Sequence, residues 1–276
     1  MSAGLRARVE ALGEPGAASE RVIAELLEAL ERGEVRAAER DAGGRWTAVT
    51  WVKTGILFAF KIGRVIEMSP AGPSPFQFFD KHTLPTQDIP IDRGVRIVPG
   101  GSTVRRGAYL GKGVVCMPPM YVNTGAWVGA GTMIDSHALV GSCAQIGERV
   151  HVSAAAQLGG VLEPVNAAPV IIEDDAFIGG NCGIYEGTVV RRRAVLAPGV
   201  LLTRGTPVYD SVRRKVYRAK GPDPLEIPEN AVVVPGTRPL GGLWAALNRL
   251  SLQTPIIVKY RDASTDAATA LEGALR

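Results

Sequence analysis

The chain has 276 residues, 46% of them hydrophobic and 21% charged, with 31 Lys and Arg against 27 Asp and Glu. That balance describes a folded chain, and a net charge of +4 without a basic stripe interleaved with aromatics gives no reason to expect nucleic-acid binding. The longest apolar runs, such as residues 55–60, are far shorter than the ~18 residues a membrane span needs, and residues 1–10 offer no apolar segment for a secretory signal. Cys116, Cys143 and Cys182 form neither a CxxC pair nor an even framework, which suits a reducing cytoplasm.

In chain order, Val22, Ile23, Leu26, Leu27 and Leu30 make one apolar face and predict an amphipathic helix over 19–32, with Ser19 as its N-cap and Gly33 as its stop. Segments 35–40 and 45–48 flank Asp41-Ala42-Gly43-Gly44 and predict a hairpin. A short helix follows over 51–61, and the polar, Pro-rich stretch 68–90 reads as a long connection. Residues 1–94 are thus expected to form a mainly helical N-terminal domain and its connection.

The middle of the chain repeats every six residues. The positions Val98, Val104, Leu110, Cys116, Val122, Val128, Ile134, Val140, Ile146, Val152 and Leu158 are all apolar. The register breaks at 163–169 and resumes at Ile172, Ile178, Ile184, Val190, Leu196 and Leu202. Four residues after each sits a second series of mostly small or β-branched residues, in which Met120 and Leu162 are the bulky exceptions. Six is neither a helical period nor a simple strand period. It fits a two-residue strand and a turn, with one aliphatic pointing inward and a small residue at each corner. Three hexads make an 18-residue triangular coil, so the seventeen hexads predict between five and six coils stacked as a parallel β-helix over 95–236. The break at 163–169 predicts a projecting loop. A hairpin is expected near 208–218, strands over 227–234 and 256–260, and, within a C-terminal segment 237–276, a weak helix over 263–276.

The hexads resemble the left-handed parallel β-helix of the hexapeptide-repeat acyltransferases. The strings VRIVP (95–99), GTMIDSHALVGSCAQIG (131–147), GGVLEP (159–164), IIEDDAFIG (171–179) and YEG (185–187) resemble one branch closely, the tetrahydrodipicolinate N-succinyltransferases of the diaminopimelate route to lysine. Residues 24–40 and 51–60 also resemble that branch's N-terminal helical domain, so the resemblance runs from about 22 to 259. It implies a mostly β fold with a small helical N-terminal domain. It also implies a cytoplasmic homotrimer with sites in the clefts between subunits, succinyl-CoA as co-substrate, a dicarboxylate amine acceptor, and no metal.

Asp135 follows the inward Ile134, so alternation turns its side chain outward. The resemblance makes it the group that binds the acceptor amine and takes its proton; from pattern alone it reads as a turn residue. Glu186, by itself an exposed corner charge, becomes the second acid of the acyl-transfer site. Two to three coils separate these acids, so a direct pair within one chain is not expected. Arg96 stands ahead of the first full coil, and its fork suits a substrate carboxylate. Ser153, Gly159 and Gly160 are candidates for contact with pantetheine, and Arg204, Lys220 and Lys259 for the CoA phosphates.

Cys143 is a conceivable acyl nucleophile, but it has no adjacent His in its hexad and reads as packing. Another acyltransferase with an acetyl donor and a His137 or His151 base, a zinc hydratase also using His82, and a non-catalytic scaffold are the competing readings.

Overall fold

The computed structural model describes residues 2–70, 72 and 76–262, so the expected helix over 263–276 lies outside the described residues. Three helices open the chain: α1 (Ser2–Glu10), α2 (Ala17–Glu31) and α3 (Thr50–Ile62). Helix α2 buries Ile23, Leu26, Leu27 and Leu30 against Leu5 and Val9 of α1 and Val52, Ile56 and Ala59 of α3. Each such side chain removed from water contributes roughly 1.5–3 kcal/mol. The helices meet closely at Gly55, where a Cβ would lie 2.3 Å from Leu26 Cδ2. Sequence periodicity did not reveal α1, because only Leu5 and Val9 mark its inner face. Ser19 is not the cap of α2. Gly16 holds that position, and Ser19, three residues on, accepts the Gly16 N–H at 2.9 Å through Oγ.

The expected hairpin is the ribbon β1 (Ala38–Arg40) and β2 (Trp46–Ala48), closed by Asp41 Oδ1 accepting the Arg45 N–H at 2.9 Å. Part of the expected connection is instead a second ribbon, β3 (Val65–Glu67) with β4 (Phe79–Lys81).

From Arg96 the chain winds as a left-handed parallel β-helix of two-residue strands on three faces. In chain order these are a first face (Met133–Ile134 and its stack), a second (Leu139–Val140) and a third (Gln145–Ile146). Residues 18 apart pair directly, as Cys116 does with Ile134 and Ile134 with Val152. The inward aliphatics from Leu110 to Leu202 are at most 2% exposed, so the period of six is the core period.

The register differs from the pattern in two places. Ile97, not Val98, pairs with Cys116, because one extra residue at Gly100-Gly101 (φ 139° and 93°) separates the first two hexads. At the break, Gln145 pairs with Ile171, 26 positions on rather than 18, so eight residues leave the coil. Val170, fully buried, takes the corner the pattern assigned to Leu162, and Leu162 packs on the helical domain instead. Met120 is 3% exposed and is absorbed into the coil core.

After Leu202 the chain leaves the coil for the antiparallel hairpin of Val208–Asp210 with Lys215–Tyr217 and rejoins the third face at Glu226–Ile227. The last described residues form a long ribbon, Ala231–Pro239 against Ser251–Tyr260, with helix α4 (Leu243–Leu247) at its tip. Among the described residues no helix is long and apolar enough to cross a membrane.

The three faces are dressed differently. The helices and ribbon cover the third face, where Ile171 and Val189 pack on Ala38 and Trp46. On the first and second faces the outward Met133, Tyr121 and Leu139 are partly exposed, and Leu201 is 43% exposed.

Candidate active site

Most corners turn through a left-handed residue three positions after an inward aliphatic, as at Gly131, His137, Cys143, Arg149 and Gly187. Glu186 is the exception. It sits two positions after Ile184 and has φ 54°, directly before Gly187 at φ 72°. Apart from the Gly100-Gly101 corner, no other described corner of the coils has two successive residues of positive φ. A non-glycine residue held this way stores strain that the surrounding structure must impose. Its carboxylate is fixed by the backbone N–H of Arg204, 2.7 Å from Oε2.

Glu186 lines a cavity of about 1030 Å³ at the corner between the second and third faces. One wall is the projecting loop (Gly159–Ala168), the other is the ribbon (Arg45–Ala48), and Thr203, Arg204, Pro222 and Pro224 extend it. Both glycines lie here, but packing already requires them. A Cβ on Gly159 would meet the Tyr185 ring at 2.7 Å, and one on Gly160 would meet Ser142 N at 2.6 Å. Arg204 shares the cavity, and its guanidinium donates to the Gly221 carbonyl. Lys220 is exposed on the turn beside the cavity and is not part of its lining. Lys259 lies on the terminal ribbon opposite Val232, away from it.

Asp135 stands on a different corner, between the first and second faces. Its Oδ1 accepts the Ser136 N–H at 2.7 Å, the turn geometry that pattern alone suggested, which leaves Oδ2 for a ligand. Ser153 stacks one coil above Asp135 and Met117 one coil below. Arg96 is exposed and reaches Met117 Sδ at 3.9 Å. The structure therefore regroups the candidates. Arg96, Asp135 and Ser153 share one edge of the second face, and Glu186, Gly159, Gly160 and Arg204 share the opposite edge. Ser153 does not belong with the two glycines.

Four residues whose role sequence reasoning missed hold the cavity walls. Lys53 of α3 is fully buried, and its Nζ donates to the carbonyls of Pro164 (3.1 Å) and Ala167 (2.7 Å), tying the loop to the helical domain. Burial lowers its pKa. Trp46 Nε1 donates to Glu173 Oε1 at 3.0 Å, and Arg191 Nη1 donates to the same oxygen at 2.8 Å. Burial pulls the Glu173 carboxyl upward, but the hydrogen bonds from Trp46 and Arg191 outweigh it and hold the group below its usual range. An apolar-looking helix position occupied by Lys, and a Trp at a hairpin turn, were the signals available.

Cys143 is fully buried in the helical domain's core, and burial pushes its thiol up to about 12. Such a thiol is neutral and sealed, so it is no nucleophile. His151 stacks on Phe177 with centroids 5.1 Å apart. Among the described residues, no three His, Cys, Asp or Glu side chains are grouped as metal ligands.

Fold and corners define a hexapeptide-repeat protein of the acyltransferase kind. Residues 169–204 match the family model described as hexapeptide repeat of succinyl-transferase, and residues 6–62 match that of the tetrahydrodipicolinate N-succinyltransferase N-terminal domain. The chain is 42% identical to the 2,3,4,5-tetrahydropyridine-2,6-dicarboxylate N-succinyltransferases of Nitrobacter hamburgensis and Polynucleobacter asymbioticus, over 91% of its own length and 87% of theirs. It belongs to that N-succinyltransferase family. A solved structure from Campylobacter jejuni, described as a 2,3,4,5-tetrahydropyridine-2-carboxylate N-succinyltransferase, superposes with a TM-score of 0.55 at 17% identity, covering 89% of this chain and 64% of that one. At that identity the likeness shows the fold alone.

Proposed function

We propose that this protein transfers the succinyl group of succinyl-CoA to the amine of ring-opened tetrahydrodipicolinate, as a cytoplasmic homotrimer in the diaminopimelate route to lysine. The observation that carries the reading is the split of the candidate residues between two edges of one face. One edge offers a carboxylate and an arginine to an amino-dicarboxylate. The other offers a cavity of about 1030 Å³ with a strained acid at its wall. Packing copies of the chain through the uncovered first and second faces would bring one edge against the other and bury Met133, Tyr121, Leu139 and Leu201.

In this site Arg96 would hold an acceptor carboxylate through its fork, and Ser153 would lie next to the acceptor. Asp135 accepts a proton from the amine as its nitrogen attacks the thioester carbonyl carbon. The C–N bond forms, the C–S bond breaks, and the proton passes to the departing CoA sulfur, with Glu186 orienting the reacting groups. Gly159 and Gly160 present loop backbone to pantetheine. Arg204, with Lys220 at the rim, would meet phosphate; Lys259 is too remote within one chain and could act only from a neighbour.

The test is thiol release from succinyl-CoA and acetyl-CoA with the dicarboxylate acceptor. Acceptor-dependent release with succinyl-CoA at much the higher kcat/KM is expected. Preference for acetyl-CoA, or release that ignores the acceptor, would refute the assignment.

A further inference from the structure

A second cavity, of about 350 Å³, lies beneath the ribbon. Its floor is the outward row of the third face, Tyr109, Trp127 and Gln145, and Arg36 and Trp46 reach over it from the helical domain and the ribbon. Trp46 is a wall of this cavity and of the larger one. The Tyr109 and Trp127 rings stack with centroids 3.9 Å apart. The Arg36 guanidinium lies 4.1 Å from the Trp127 ring centroid and 5.4 Å from that of Trp46.

Arg36 is bonded incompletely. Its Nε donates to Gln145 Oε1 at 3.0 Å, and Gln145 is itself pinned by donating to the Cys143 carbonyl at 2.9 Å. No hydrogen bond or ion pair reaches Nη1 or Nη2 among the described residues. Three other arginines with little exposed side chain have a carboxylate: Arg191 has Glu173 and Glu226, Arg105 has Asp80, and Arg106 has Glu31. The acids around the cavity are committed elsewhere. Glu173 serves Trp46, Arg191 and the Arg192 N–H, and Asp174 Oδ1 takes the Glu148 N–H. Arg36 is half-buried, and burial drives its pKa down to about 10, with the nearby Asp174 charge opposing the fall.

We propose that this cavity binds a small organic carboxylate with a flat body. The carboxylate meets Nη1 and Nη2 of Arg36, which supply the fork of a bidentate pair, and the body lies against Trp46 and the edge of the Trp127 ring, whose faces Tyr109 and Arg36 already cover. The volume is at the small end of ligand pockets. The site is separate from the acyl-transfer cavity and does not depend on how that cavity is read.

Benzoate and indole-3-carboxylate are the probes, titrated into the full chain by calorimetry with acetate as the control lacking a ring. The expected result is saturable binding of both aromatic acids, weakened by about tenfold or more in Arg36→Lys, which keeps the charge but loses the fork. Ala130→Leu, which fills the cavity wall and leaves Arg36 and Gln145 in place, is expected to abolish binding, and saturating CoA is expected to leave it unchanged. Absence of binding by both acids in the millimolar range would overturn the proposal. So would wild-type affinity in the folded Ala130→Leu variant, or displacement of the probes by CoA.

Discussion

Asp135 and Glu186 stand on opposite edges of the same face of the β-helix, two coils apart. At ~4.8 Å per coil this is roughly 10 Å along the axis, in addition to the width of the face. The two acids do not meet within one chain, and the proposed assembly would bring them together across a boundary between chains. Asp135→Asn and Glu186→Gln are each expected to abolish turnover. Refolded together in equal amounts, they should regain about one quarter of wild-type activity, since a random cyclic assembly gives that share of boundaries with both acids intact. Activity that stays absent in mixed assemblies of the correct size would show that the acids act within one chain.

Lys53 should act on the loop, not on the chemistry. Lys53→Met leaves two loop carbonyls without their donor, at a cost of about 1–3 kcal/mol. It is expected to expose residues 160–168 to proteolysis and to raise the KM for succinyl-CoA more than it lowers kcat. Lys53→Arg should recover part of both effects. Equal loss in kcat and kcat/KM with an intact loop would point to a direct role.

Glu173 makes the ribbon sensitive to acid. Its folded pKa lies below its unfolded value, so the native state binds fewer protons and the stabilisation is present above about pH 4.5. It is lost as the pH falls through the folded pKa. Thermal melts and tryptophan emission followed from about pH 6 to pH 3 should report this loss, and Glu173→Gln should be less stable at neutral pH and flatter across the same window. An unchanged acid limb in that variant would assign the transition to other carboxylates.

Cys143→Ala should retain full kcat. With its thiol pushed up to about 12 and sealed in the helical core, Cys143 has almost no thiolate to offer. The variant's expected cost is stability, about 1 kcal/mol for a small cavity. Loss of turnover in a folded Cys143→Ala protein would revive a covalent route.

The repeat was legible because each hexad solves the same local problem. An inward aliphatic must meet those 18 residues before and after it, so Ile134, Val152 and their column announce themselves without knowledge of the rest of the fold. The same logic placed Asp135 outward and separated it from Glu186. It failed where one extra residue enters, at Gly100-Gly101, and where the loop ends at Val170, because an aliphatic one position off still satisfies the pattern.

What the linear order determined by itself was the winding, the inward column and the family strings, all properties of residues near one another in the chain or in strict period. Only the tertiary structure decided that Lys53 grips a loop 111 positions away, that Arg36 lies over Trp127, and that Ser153 belongs with Asp135 and not with Gly159. These contacts join the helical domain to the coils or one corner to another. Their energy comes from desolvated charges and rings meeting across that seam, and no local propensity records which distant surface a side chain will meet.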